Sequence, residues 1–325
     1  MNNRRKVVIA LGASALTVPF AFSAQTQTGK FPRIGYLGLF STSTYGGGLD
    51  ALRASLRDLG HVEGKNLVIE ARWAEGKNER LPELAAELVR MKVDIIVATQ
   101  TPAVQAAKQA TNDIPIVMAP AGDPVGTRFV ASLARPGGNI TGLSAAISEL
   151  AAKNLELIRE ILPSAKRVAV LANRADAFTK PYLEHIENAA RALGVTLQPI
   201  LVRAENEFDG AFSDMSKMQA DAVIVQGSLP RKHAIALALK HRLPAVAAAP
   251  GFAEAGGLVS YIGVFRDLYR EAAVYVDKIL KGAKPGELPV EQPTKFELSI
   301  NMRTAKVLGI KFPDSIRARA DRIIE

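Results

Sequence analysis

Apolar runs rich in Val and Ile alternate along the chain with amphipathic segments of ten to fifteen residues. Each run has the length of a buried strand, and each amphipathic segment is long enough for a helix that covers one face of a sheet. Parallel strands need crossover connections of this kind, because a short turn cannot join their ends. The alternation therefore predicts an α/β protein with parallel sheets.

Two rounds of this alternation lie on either side of a turn-rich segment, RPGGN at 135–139, which predicts a boundary. The first round predicts strands at 34–39, 67–73, 94–99 and 114–119, and helices at 49–59, 80–91 and 102–110. The second predicts strands at 168–172, 196–202, 222–226 and 245–249, and helices at 148–162, 179–193, 207–218 and 230–241. With 325 residues and 48% hydrophobic content, the chain can bury two cores.

A repeated motif supports duplication of one unit, since MKVD at 91–94 and MQAD at 218–221 each precede a predicted strand. Chance similarity between βα units is the alternative. The tail predicts strands at 258–262 and 295–300, and helices at 267–280 and 303–308. We call the two predicted units lobe 1 and lobe 2. If helix 267–280 returns to lobe 1 and strand 295–300 returns to lobe 2, three chain connections join the lobes. The predicted lobes are 31–142 plus 263–292, and 143–262 plus 293–325.

The N-terminus has the pattern of a secretory signal peptide over 1–24. Three cations at 4–6 precede an uncharged apolar run at 7–22, and small residues follow. An uncleaved membrane anchor is the alternative, but Pro19 and the small residues favour cleavage near Ser23 or Ala24. This pattern predicts a periplasmic location. The chain has no cysteine, which excludes disulfides and a lipid-modified cysteine.

Composition and motifs argue against several functions. The net charge is +9, and +6 without the three N-terminal cations, but the basic residues are scattered and not clustered as in nucleic-acid-binding proteins. No nucleotide-binding glycine motif, nucleophile elbow or HExxH zinc motif occurs. The four histidines lack the spacing of a metal site. We therefore expect no enzyme activity, no cofactor, no metal and no nucleic-acid partner.

Seven segments occur in a characteristic order along the chain: GHVEGKN at 60–66, RWAEG at 72–76, GDPVG at 122–126, SLARPGGNITG at 132–142, LKGAKP at 280–285, LPVEQP at 288–293 and NMRTAKVLG at 301–309. Together these segments resemble the ABC transporter substrate-binding proteins of the tryptophan/tyrosine-type family. The resemblance covers essentially the whole mature chain. One departure is TRF at 127–129, where many relatives carry a small, glycine-containing stretch.

The resemblance implies a type I periplasmic binding fold, with two Rossmann-like lobes joined by a three-strand hinge. It also implies a small-molecule ligand, an aromatic amino acid or a related aromatic or organic acid, held in the cleft by hinge closure. The implied partners are an inner-membrane ABC permease and its ATPase, and we expect a monomer. A ligand-sensing protein that feeds a signalling receptor is an alternative, and a periplasmic enzyme on the same fold is another.

Ligands of open α/β sheets lie beyond the carboxyl ends of the strands, so the candidate residues lie in the loops that follow strands. The predicted ligand-binding residues are Ser41, Thr42, Tyr45, Gln100, Thr101, Asp123, Asn173, Arg174, Gln226, Ser228, Phe252 and Tyr261. Thr101 could instead cap a helix, Asp123 could form a turn, and the aromatic residues could pack within the hinge. We expect Thr101→Val or Asp123→Ala to weaken binding while leaving folding intact.

Overall fold

The computed structural model describes residues 31–41 and 47–325. The predicted signal peptide and the predicted site residues Thr42 and Tyr45 lie outside the described residues. Within these two ranges, no helix combines the length and the apolar character that a membrane span requires.

The first sheet has five strands in the order β2-β1-β3-β4-β5, and every neighbouring pair is parallel. Its strands are β1 (Arg33–Gly38), β2 (Val68–Trp73), β3 (Ile95–Thr99), β4 (Ile116–Ala121) and β5 (Ile140–Ser144). The last three are buried along their whole length, because helices cover both faces of the sheet. These helices are α1 (Gly48–Asp58), α2 (Leu81–Arg90), α3 (Thr101–Ala110) and, from late in the chain, α8 (Phe265–Leu280).

The second sheet has seven strands in the order β12-β11-β10-β9-β8-β6-β7. Its strands are β6 (Arg167–Asn173), β7 (Thr196–Val202), β8 (Ala222–Val225), β9 (Ala245–Ala247), β10 (Val259–Gly263), β11 (Phe296–Asn301) and β12 (Arg322–Ile324). Its helices are α4 (Ile147–Ile161), α5 (Thr179–Leu193), α6 (Phe208–Lys217), α7 (Arg231–Lys240), α9 (Met302–Leu308) and α10 (Asp314–Arg319). The sheet is mostly parallel, but β11 runs antiparallel to β10, because the chain enters it from the opposite end after crossing the hinge.

The two sheets share one topology, since β7-β6-β8-β9-β10 repeats the order β2-β1-β3-β4-β5. The repeated motif has the same role in both sheets. Asp94 accepts a hydrogen bond from the N–H of Arg33 at the start of β1 (2.7 Å), and Asp221 accepts from the N–H of Arg167 at the start of β6 (2.8 Å). Lys92 and Gln219, at the same place in the two motifs, both have positive φ, 53° and 55°. These correspondences support duplication.

Three chain segments lie side by side where the chain passes between the sheets. The N–H of Ser144 donates to the carbonyl of Glu291 (2.8 Å), and the N–H of Glu291 donates to the carbonyl of Gly142 (3.1 Å). The N–H of Val264 donates to the carbonyl of Lys295 (3.0 Å). These segments form the predicted three-strand hinge. We call the first sheet with its helices the first lobe, and the second sheet with its helices the second lobe. The residue boundaries that the sequence predicts for the two lobes remain a prediction.

Most predicted elements occur within about two residues of their expected bounds, but three elements were not predicted. β5 follows directly on RPGGN and contains Gly142, so its sequence resembles a continuing turn. α10 and β12 are short, with six and three residues, and β12 is largely exposed at the edge of its sheet, so neither has a clear hydrophobic period.

Candidate functional site

Loops at the carboxyl ends of strands in both sheets surround a cavity between the lobes. From the first lobe, Gln100 and Thr101 after β3 and Gly122 after β4 line it. From the second lobe, Asp176 after β6, together with Gln226 and Ser228 after β8, lines the opposite side. Apolar side chains complete the wall: Pro120, Ile147, Phe178, Pro250 and Phe265. This inner cavity has a volume of about 40 Å³.

An outer cavity of about 500 Å³ opens between the lobes and shares Ser228 with the inner one. Its first-lobe wall consists of Phe40, Ser41 and residues 75–79, and its second-lobe wall includes Asn173 and residues 203–206. This volume is typical of small-molecule sites, whereas the inner cavity is much tighter. The two cavities together define the interlobe cleft.

The start of α3 has an unusual backbone. Gln100, the residue before the helix, has φ 73° and ψ 148°, a region that side chains other than glycine rarely adopt. Among the described residues, no side chain caps this helix. Thr101 does not act as the cap; its Oγ accepts a hydrogen bond from the N–H of Gly122 (3.0 Å) and so holds the loop after β4 against α3.

Asp176 is a buried carboxylate in the second-lobe wall. Its Oδ1 accepts the N–H of Phe178 (2.9 Å), and its Oδ2 accepts from Nε2 of Gln226 (3.2 Å). Burial raises the pKa of Asp176 to about 6, although the bond from Phe178 and the nearby Ser228 hydroxyl lower it in part. No charged group of the described residues contributes to this pKa shift. The side chain is thus a buried acid without a counter-ion.

A hydrogen-bond network fixes the orientation of the groups around Asp176. Oε1 of Gln226 accepts from the N–H of Asn173 (2.7 Å), which directs its Nε2 toward Asp176. The single hydroxyl proton of Thr179 is shared between Oε1 of Gln226 (3.0 Å) and the carbonyl of Asn173, which is the closer acceptor. Nδ2 of Asn173 and Oγ of Ser228 are buried and form no hydrogen bond of ordinary geometry with the described residues. Both residues line the outer cavity.

The structure brings six of the predicted residues to the cleft. Gln100, Thr101, Gln226 and Ser228 line the inner cavity, and Ser41, Asn173 and Ser228 line the outer one.

Four others line neither of these two cavities. Asp123 accepts the N–H of Gly126 (2.9 Å), and Arg174 is exposed and donates to the carbonyl of Leu201 (2.9 Å). Phe252 is fully buried in the core of the second lobe, and Tyr261 stacks on Phe296 with ring centroids 5.8 Å apart.

The inner-wall residues that the sequence-based selection missed include Asp176, Phe178 and Phe265. Asp176 lies just before α5, in one of the loops at the carboxyl ends of strands where ligands are expected. An aspartate at such a position is usually assigned to a turn or a helix cap. Its orientation into the cleft depends on tertiary contacts with Gln226, which residue type and spacing do not reveal.

Two mostly parallel α/β lobes joined by a three-strand hinge, with a cleft at the carboxyl ends of their strands, define the type I periplasmic binding class. Solute-binding proteins of much lower sequence identity share this fold. Residues 43–324 match the family described as ABC transporter substrate binding protein, and the chain belongs to that family.

Three proteins illustrate the similarity. A tyrosine-binding protein from Clostridioides difficile (strain R20291) is 29% identical over 263 residues, which cover 79% of this chain and 75% of that protein. An ABC domain from Streptococcus pneumonia, solved in complex with L-Trp, is 27% identical with a TM-score of 0.80, covering 91% of this chain and all of that one. The ligand-free, open structure of a substrate binding protein with adhesive properties from Clostridium difficile is 25% identical with a TM-score of 0.64, covering 90% and 99%.

Proposed function

We propose that this protein is the periplasmic solute-binding component of an ABC importer and that it captures an aromatic amino acid or a related aromatic acid in the interlobe cleft. The observation that supports this most directly is the composition of the inner cavity. Phe178, Phe265 and Ile147 provide apolar surface, and Gln100, Thr101, Asp176 and Ser228 provide polar groups from both lobes. A few polar groups that orient a ligand within an apolar wall are typical of small-molecule sites.

The aromatic wall favours a planar, apolar ligand group. Phe178 is contributed by the second lobe, and Phe265 begins α8 at the hinge. Rings that pack against each other in offset or edge-to-face geometry gain about 0.5–1.5 kcal/mol beyond the burial of their surface. An aromatic solute between these two side chains would therefore contact both sides of the cleft.

Ligand capture requires hinge motion, because the inner cavity of about 40 Å³ is smaller than an aromatic amino acid. The lobes would separate to admit the ligand and then close around it, since a ligand that contacts both lobes stabilises the closed form. The TM-scores support a closed arrangement here, because the chain fits the L-Trp complex better than the ligand-free open structure at nearly equal identity.

The N-terminal pattern and the family support delivery to an importer. The predicted signal peptide would export the protein, and the closed form would then be recognised by an inner-membrane permease that is coupled to an ATPase. Two relatives are described as binding tyrosine or L-Trp, which makes these amino acids the first candidates.

A thermal-shift screen of the mature protein, residues 25–325, tests the ligand class. At a ligand concentration 100-fold above Kd, binding stabilises the native state by about 2.7 kcal/mol, which should raise Tm by about 4 °C. We expect L-tyrosine, L-tryptophan or an aromatic acid to give this shift, and L-leucine and L-glutamate to give none. If only the non-aromatic compounds raise Tm, the proposed ligand class is wrong.

The contribution of the aromatic wall can be measured with Phe265→Leu, which keeps apolar volume but removes the ring. We expect the affinity for the aromatic ligand to fall about three- to tenfold in isothermal titration calorimetry. Phe296→Leu is the matched control, because Phe296 is also a partly exposed aromatic residue near the hinge but stacks on Tyr261 away from the inner cavity. An equal effect of both substitutions would contradict the assignment.

A further inference from the structure

We propose that the loop after β4, the GDPVG segment at 122–126, is a closure latch: it seats against α4 and α5 of the second lobe and stabilises the closed form through contacts between protein groups alone. This inference rests on the hinge motion of the proposed function and extends it, because it assigns part of the free energy of closure to the protein itself. The latch residues are positioning residues, since they act on capture through the relative position of the two lobes.

The first contact of the latch places the ring of Phe178 directly on the backbone of Gly122. A Cβ added to Gly122 would lie 2.8 Å from Cγ of Phe178 and 3.0 Å from each of its two Cδ atoms. Apart from the adjoining residues, these three atoms are its nearest neighbours, and all of them belong to the second lobe. A methyl group at this position would therefore meet its closest neighbours across the lobes, and not within its own lobe.

Both partners of this contact are held within their own lobes. The N–H of Gly122 donates to Oγ of Thr101 (3.0 Å), and its carbonyl accepts from the hydroxyl of Ser144 (3.2 Å). The ring of Phe178 is buried and packs on Tyr182, with ring centroids 5.2 Å apart. Because close-packed groups of this kind cannot easily move aside, separation of the lobes is the simplest way to relieve an added methyl group.

Two further contacts lie along the same loop. A Cβ added to Gly126 would lie 3.1 Å from Cβ of Pro181 in α5. Oδ2 of Asp123 accepts from the hydroxyl of Ser148, in the first turn of α4 (3.5 Å), while Oδ1 of Asp123 accepts the N–H of Gly126 (2.9 Å) and keeps the loop compact. None of these four residues lines the inner or the outer cavity, so the latch extends beyond the space available to a ligand.

The latch has a defined effect on affinity. A ligand that binds only the closed form has an apparent Kd equal to its intrinsic Kd divided by the fraction of protein that is closed. Contacts between protein groups raise this fraction before any ligand binds, and they raise it equally for every ligand. Loss of the latch should therefore weaken all ligands by one common factor, whereas loss of a ligand contact should weaken different ligands by different factors.

Calorimetry tests the first contact through a double-mutant cycle of Gly122→Ala and Phe178→Ala, with every ligand that the thermal screen identifies. We expect Gly122→Ala to weaken all of them by a common factor of at least about fivefold, because overpacking disfavours the closed form. In the Phe178→Ala background the same substitution should have almost no effect, since the ring atoms that the methyl group meets are gone. Gly138→Ala is the matched control, because nothing lies within 4 Å of its added Cβ.

Small-angle scattering of the mature protein without ligand gives a readout that ligand contacts cannot change. We expect ligand-free Gly122→Ala to have a larger radius of gyration than wild type and Gly138→Ala, because the latch gives wild type a closed population that the variant loses. Ser148→Ala removes the hydroxyl that bonds Asp123 and lies outside both cavities. It should weaken every ligand by about two- to threefold.

The outcomes separate the latch from the proposed function. If wild type binds neither aromatic amino acids nor aromatic acids, the proposed function is wrong, and the ligand-free scattering still decides the latch. Equal radii of gyration for wild type and Gly122→Ala overturn the latch. An effect of Gly122→Ala that differs among ligands, or that persists in the Phe178→Ala background, also overturns it, because a clash with the ligand would then be the cause. Should Gly122→Ala not fold, scattering and calorimetry of Ser148→Ala decide by the same criteria.

Discussion

Thr101 has a structural role at the cleft, because its buried Oγ accepts the N–H of Gly122 and fastens the loop after β4. Thr101→Val keeps the shape of the side chain but leaves that N–H without an acceptor, which costs about 1–3 kcal/mol. We therefore expect a lower urea midpoint for Thr101→Val and a smaller change for Thr101→Ser, which keeps the hydroxyl. This prediction departs from the expectation from sequence that Thr101→Val leaves folding intact. Equal stability of wild type and Thr101→Val would contradict the role.

Asp176 should make the stability of the ligand-free protein fall as pH rises. Its pKa is raised to about 6 in the native state, against about 3.9 in the unfolded chain, so between these values the native state binds more protons. The contribution is zero below pH 4, grows through pH 6 and reaches at most about 3 kcal/mol of destabilisation above it. The difference in unfolding free energy between wild type and Asp176→Asn should fall over this range in urea titrations. A difference that stays constant from pH 4 to 7 would exclude an ionised, buried Asp176.

At the scale of elements, β5 pairs closely with β4 and leads directly into the hinge. Gly142 has φ +117°, and a Cβ added there would lie 2.5 Å from the carbonyl oxygen of Met118. Because this oxygen is a backbone atom, it cannot move away by a change of rotamer. Gly142→Ala should therefore cost about 3 kcal/mol or more in unfolding free energy. Gly138→Ala, four residues earlier with open space around its Cβ position, is the control and should be near neutral. Similar losses for both would exclude close strand approach as the cause.

The same elements show how much of the fold can be predicted from the sequence alone. α5 and β7 begin and end at the predicted residues, because Gly194 adopts a left-handed φ of 64° at the end of α5 and separates two clear hydrophobic periods. β5 was not predicted because Gly142 allows it to approach β4 closely, and hydrophobic periodicity gives no sign of such an approach. The candidate site, too, could be predicted only in part from the sequence. The rule for parallel sheets selects the loop after β6, but the direction of Arg174 toward solvent and of Asp176 toward the cleft depends on packing against β8.

At the scale of the whole molecule, the loop after β4 lies against α5 of the other lobe. A Cβ added to Gly126 would lie 3.1 Å from Cβ of Pro181, near the 3.5–4.5 Å separation that disulfides require, and only the flexible end of Asp123 stands closer. The chain has no cysteine, so Gly126→Cys with Pro181→Cys introduces a single possible disulfide.

This pair reports whether the ligand drives closure. If ligand-free protein spends much of its time open, oxidation should be slow and should accelerate several-fold when L-tyrosine or another ligand from the thermal screen is bound, because only the closed form brings the two thiols together. The rate is measured by mass spectrometry of thiols trapped with iodoacetamide, and each single-cysteine variant serves as a control for intermolecular oxidation. A ligand that binds without changing the oxidation rate would mean that capture does not depend on hinge closure, because the two lobes would then meet equally often with and without the ligand between them.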